Sequence, residues 1–203
     1  MYNCIFSGHC TEDYACNMSC PVIAETSYLL ERNGIGMNNS VFKMTDAQLT
    51  KYRNILNEAS GKISSVIVSS GDFTNQAADA LTYCAICDNW RGSQLHCTVY
   101  NLKFAQYIES MKSSWSYSDD SSDTMEQTKI WISHAKVLII SNLDFINFKD
   151  FQCQVLLSLL QSRASVDQTT IIVSPSVNSL VGEGQFFAKM TSIISKQKVG
   201  ETL

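Results

Sequence analysis

The chain has 203 residues and a mass of 22.6 kDa, room for one substantial domain and a small appendage. With 45% hydrophobic and 17% charged residues, nine Gly and two Pro, it is neither a disordered tail, a collagen-like repeat nor a coiled coil. A formal net charge of −4 argues against a surface built for nucleic acid or membrane. No apolar run reaches the roughly 20 residues a membrane span needs, and Cys and His stand where an export signal would begin, so a soluble, cytoplasmic protein is expected.

The first segment, 1–36, reads as a Cys-bearing head, because four of the eight cysteines crowd into its start as Cys4-x5-Cys10-x5-Cys16-x3-Cys20. Without an export signal, grouped thiols point to a metal rather than to disulfides. Four thiolates can close a tetrahedral zinc site whose binding energy folds a segment too small for a core of its own. The spacing lacks the paired C-x2-C knuckles of zinc ribbons, so a 4Fe–4S cluster or redox-active thiols remain alternatives.

The body, 37–203, alternates helices and strands. Thr45 and Gln48 predict a capping box, followed by Leu49, Tyr52, Ile55, Leu56 and Ala59 at helical spacing and a stop at Gly61. Ile63–Ser69 predicts a buried strand, and Asp72 or Thr74 caps a helix running to about Trp90. Leu95, Cys97 and Val99 alternate as a second strand before an amphipathic helix with Phe104, Ile108 and Met111. Ser113–Asp123 reads as a surface loop, and a helix with Ile130 and Trp131 follows. Val137–Ile140 is a third strand, Phe148–Arg163 a helix, Thr170–Val173 a fourth strand, and Phe186–Ile194 a last helix. Strands so separated imply βαβ crossovers and a three-layer α/β fold around a mostly parallel sheet.

Three stretches carry a resemblance: AKVLIISNL (Ala135–Leu143), VLLSLLQSR (Val155–Arg163) and TTIIVSPS (Thr169–Ser176). Their order resembles the AAA+ ATPase domain of bacterial and phage replicative-helicase loaders and the related insertion-sequence ATP-binding proteins. The likeness extends over Ser65–Met190, and some such loaders carry a Cys-based zinc module ahead of the ATPase domain. It implies a P-loop-type sheet and a protein partner, the replicative helicase or an active loader subunit.

The departures are chemical. A working P-loop needs G-x-x-x-x-G-K-S/T, so that backbone N–H groups cradle phosphate, Lys reaches it and a hydroxyl holds magnesium. At the matching turn stand Ser69-Ser70-Gly71-Asp72-Phe73-Thr74-Asn75-Gln76, with no Lys and an Asp that repels phosphate. The magnesium-holding acids at the end of the third strand are replaced by Ser141 and Asn142, with Asp144 two residues beyond. Pro175 stands where the family's fourth strand ends in Asn, and Lys189 where an arginine finger is expected. A pseudo-ATPase is expected, with no bound ATP.

Tyr2, Phe6 and Tyr14 interleave with the head cysteines, but Glu12 and Asp13 and the lack of Lys or Arg before Arg32 favour protein docking over single-stranded DNA. Cys84 and Cys87 fall inside a predicted helix among Ala, Leu and Ile, as small buried hydrophobes rather than a redox pair. His134 reads as a boundary residue, and Trp90, Trp115 and Trp131 as packing anchors. The leading function is a non-catalytic accessory protein of DNA replication. The alternatives are a phage or mobile-element protein that antagonises a host system, and an iron–sulfur or thiol redox protein.

Overall fold

A computed structural model of the chain describes residues 21–61, 63–67, 74–91, 99–114, 119–143, 149–166 and 168–174, with 188, 189 and 192. In order they form α1 (Pro21–Arg32), a 3-10 turn (Ser40–Lys43), α2 (Asp46–Glu58), β1 (Ile63–Ile67), α3 (Thr74–Arg91) and β2 (Val99–Lys103). Then come α4 (Phe104–Ser114), α5 (Asp119–His134), β3 (Val137–Ser141), α6 (Asp150–Ala164) and β4 (Thr169–Ser174). Among the described residues the strands make one four-stranded, all-parallel sheet in the order β1-β4-β3-β2.

Alternate residues of each strand face opposite sides of the sheet, and each side has its own apolar core. Val99, Ile139, Ile171 and Val173 meet the buried residues of α1, α2 and α3. Ile63, Leu102, Leu138, Ile140 and Ile172 meet those of α4, α5 and α6. Crossover handedness explains the division. The step from β1 to β2 traverses the whole sheet, and the steps from β2 to β3 to β4 return the other way. Right-handed crossovers running in opposite directions place their helices on opposite faces. The parallel α/β expectation therefore holds for the described residues.

Local signals explain several boundaries. The Thr45 N–H donates to Gln48 Oε1 at 2.8 Å and the Gln48 N–H to Thr45 Oγ1 at 3.3 Å, closing the expected capping box. Gly61 ends that segment at a φ of 69°. α3 buries Ala77, Ala78, Ala80, Leu81, Cys84 and Ile86, small residues that fit a helix enclosed between the sheet, α1 and α2.

Three expectations need correction. Residues 21–36 do not belong to a separate head: Leu30 and Ile35 are core residues, because α1 packs on α3. The second strand is Val99–Lys103 and runs directly into α4, since Val99, Tyr100 and Leu102 supply the pleat; Leu95 and Cys97 lie outside the described residues. The expected surface loop at Ser113–Asp123 is helical at both ends, α4 reaching Ser114 and α5 starting at Asp119. A run of Asp and Ser suits the first turn of a helix as well as a loop. Of the last expected helix, Ala188, Lys189 and Ser192 are helical and exposed, and its remainder lies outside the described residues.

Arg163, at the end of α6, joins the amino-terminal side of the sheet to two helices. Its side chain is only 2% exposed. Nε donates to Thr170 Oγ1 at 2.6 Å, and Nη2 to the Thr169 carbonyl at 2.8 Å. Nη1 donates to the Ile132 carbonyl at 3.0 Å and to Gln168 Oε1 at 2.9 Å. Burial lowers its pKa to about 10, so the guanidinium is still charged at neutral pH. Arg163→Ala leaves several buried acceptors unpartnered, each worth about 1–3 kcal/mol. Urea unfolding should show a total loss of about 3 kcal/mol or more; a midpoint equal to that of the parent protein would refute the clamp.

Candidate functional site

In open α/β sheets, ligands bind beyond the carboxyl ends of the strands, where the strand order reverses. Here the chain leaves β1 for the α3 face and β3 for the α6 face, so that crevice lies over the carboxyl ends of β1, β4 and β3. Residues 69–73 of the expected phosphate turn, Asp144 and Pro175 lie outside the described residues, as do Cys4, Cys10, Cys16 and Cys20. What is described at the crevice is the start of α3 and the end of β3. Thr74 opens α3 and is buried, and its hydroxyl has no hydrogen-bond partner. The Gln76 amide nitrogen donates to Ser40 Oγ at 3.2 Å.

At the end of β3, Ser141 is 1% exposed and its hydroxyl donates to Asn101 Oδ1 at 2.9 Å. That hydroxyl is turned into the fold, on the α3 side with Val137 and Ile139. Asn142 follows at a φ of 56°, in the left-handed region that Asn tolerates better than most residues. Leu143 is buried. No carboxylate stands at 141, 142 or 143.

Ser141 belongs to a polar network that starts at the end of α1. Leu30 to Ile35 form a Schellman motif: the Gly34 N–H donates to the Glu31 carbonyl at 2.9 Å, and the Ile35 N–H to the Leu30 carbonyl at 2.9 Å. Gly34 takes the φ of 76° that the motif requires. Asn33, the C-cap, is thereby aimed at the outer edge of β2. Its Oδ1 accepts the Asn101 N–H at 2.6 Å, and its Nδ2 donates to the Val99 carbonyl at 3.3 Å and the Leu29 carbonyl at 2.7 Å. One side-chain amide thus supplies a rung of sheet to a strand edge.

From Asn101 the network continues to α3. Its Nδ2 donates to Asp79 Oδ1 at 3.4 Å, and Asn39 Nδ2 donates to Asp79 Oδ2 at 2.7 Å. Burial pushes the Asp79 carboxyl above its usual range, opposed by the Asn39 hydrogen bond and the Lys103 charge. The arrangement locks α1, α3, β2 and β3 together; it presents no nucleophile–base pair.

The other singled-out residues have structural places. Cys84, Cys87 and Cys153 are buried, and Cys84 Sγ donates to the Leu49 carbonyl at 3.7 Å. Burial is the main cause that pushes the Cys153 thiol up, away from reactivity. His134 is exposed at the end of α5, with Nδ1 2.9 Å from the Ile130 carbonyl. Trp131 packs on Tyr100 with ring centroids 5.6 Å apart. Among the described residues, no three His, Cys, Asp or Glu side chains are grouped to hold a metal, and no helix is long and apolar enough to cross a membrane.

A groove of about 300 Å³ runs along the outer edge of β2, between the end of α1 and the α4–α5 pair. It lies at the side of the sheet, away from the crevice where the resemblance places nucleotide. Sequence reading missed Asn33, Asp79, Asn101 and this groove. The R-N-G-I stretch and the polar Asn101 within an apolar strand were the available signals. Compared with protein-family models, curated proteins and solved structures, the chain matches none.

Between the ordinary value of 3.8 and its raised folded value, Asp79 keeps a proton that the unfolded chain has lost. Stability contributed through this group therefore falls as pH rises through that window. Asp79→Asn should remove the fall, seen as a flatter dependence of the urea midpoint as pH rises above the ordinary carboxyl value. Identical slopes for the two proteins would contradict the assigned shift.

Proposed function

We propose that this protein is a non-catalytic AAA+-like accessory protein of DNA replication that binds the replicative helicase or an active loader subunit and modulates its assembly. The observation that carries the non-catalytic reading is the end of β3. An active family member must bring the turn after its first strand and the acids ending its third to one magnesium-bound triphosphate. With β4 alone between β1 and β3, those two ends lie only about 10 Å apart, two strand spacings. The scaffold thus suits a shared site, while Ser141 is committed to Asn101 and Asn142 has no charge. A surface that has lost its chemistry but kept its scaffold acts by contact. The choice of helicase or loader as partner rests on the resemblance of Ala135–Leu143, Val155–Arg163 and Thr169–Ser176.

The head fits the same role as a docking module. Cys4, Cys10, Cys16 and Cys20 form a four-thiolate donor set suited to zinc, which would hold that segment folded. Elemental analysis of the purified protein should find about one zinc per chain, lost in Cys16→Ser. A brown, iron-containing preparation would replace zinc with a cluster.

Function is tested with purified components. The protein should co-elute with purified replicative helicase or loader and hydrolyse no magnesium-ATP. Turnover that disappears in Asp144→Ala would overturn the non-catalytic reading. Failure to form either complex would overturn the partner.

A further inference from the structure

The groove along β2 holds two cations that the network above does not consume. Arg32, the last residue of α1, lines it from one side, and Lys103, the last residue of β2, from the other. Among the described residues neither has a carboxylate within ion-pair distance. Glu31 also lines the groove, and the Lys103 charge acts on Asp79 of α3 without an ion pair.

Arg32 is held in place by its neighbours. The Arg32 guanidinium lies 5.5 Å from the Trp131 ring centroid and 5.9 Å from that of Tyr28, and its Nη2 donates to the Val99 carbonyl at 3.1 Å. Its Nε–H is buried and has no acceptor. The Lys103 ammonium rests against Gly34, where a Cβ would come within 3.3 Å of it. Gly34 therefore serves twice, giving the positive φ of the Schellman motif and leaving room for the ammonium.

The Arg32 guanidinium, held beforehand, loses little freedom on binding, and guanidinium and ammonium groups both favour carboxylate or phosphate oxygens. The volume, at the low end for ligand sites, restricts the occupant to a small molecule. Tyr100 and Tyr107 give the groove aromatic walls for the remainder of that molecule.

We propose that this groove binds a small oxyanion-bearing molecule, its phosphate or carboxylate group held between Arg32 and Lys103. The site is independent of the replication role and of the carboxyl-end crevice. Its test uses the full chain titrated at constant ionic strength with inorganic phosphate and, separately, with succinate, followed by thermal midpoint and amide NMR shifts. Saturable binding of phosphate alone assigns a phosphomonoester, of succinate alone a carboxylate, and of both the shared oxyanion chemistry. In each case Lys103→Gln should weaken apparent affinity about tenfold or more, as loss of a charge-assisted contact does. Lys112→Gln, on the exposed last turn of α4, should leave it unchanged. Arg32→Lys serves as the second variant if Lys103→Gln fails to fold; it keeps the charge but loses the fork, and should weaken binding too. No saturation by either anion, or equal affinity in the parent and these groove variants, overturns the proposal.

Discussion

The side-chain amide of Asn33 bonding to the outer edge of β2 is the contact on which the α3 side of the molecule depends. A parallel strand at the edge of a sheet exposes unpaired backbone groups that another chain can use. Asn33 covers two of them, the Asn101 N–H and the Val99 carbonyl, and does so because the helix before it ends in a left-handed glycine. From Asn101 the hydrogen bonds pass to Ser141 on β3 and to Asp79 on α3. Polar groups buried this way stabilise only when all are satisfied. The network therefore fixes one register of α1 and α3 over the sheet, where apolar packing alone would tolerate sliding.

Arg163 performs the equivalent task at the opposite, amino-terminal side. A guanidinium with five donors can bond several carbonyls and hydroxyls at once, which Lys, with its single compact charge, does less well. Its contacts reach α5 through Ile132 and β4 through Thr169 and Thr170. The arginine ending the Leu-rich stretch is thus a structural clamp, remote from the end of the strands where chemistry would occur. A sequence likeness that includes it reports on how α6 seats against β4, and so on fold more than on activity.

The two ends of the sheet differ in their polar groups. The amino-terminal end is closed by a buried cation and neutral acceptors. The carboxyl-terminal end, where an ATPase would gather Lys and acids, has at Ser141 a hydroxyl turned inward. On the flank, Arg32 and Lys103 border the β2 groove. The exposed Tyr28, over which Arg32 lies, adds an aromatic surface on the same flank.

From α2 to β4 the order of helices and strands was readable from the amino acids, because capping at Thr45, the stop at Gly61 and the β-branched runs at Ile63, Val137 and Thr170 are local properties of neighbouring residues. That Ser141 and Asn142 carry no charge is likewise read directly from the sequence. Pairing is different in kind. That β4 inserts between β1 and β3, that Asn33 reaches across to Val99 and Asn101, and that Arg163 finds Ile132 depend on residues far apart in the chain meeting in space. Periodicity encodes which face of an element is apolar but carries no address for its partner. For that reason the membership of residues 21–36 in the body, the buried network and the cationic groove were decided only by the folded chain.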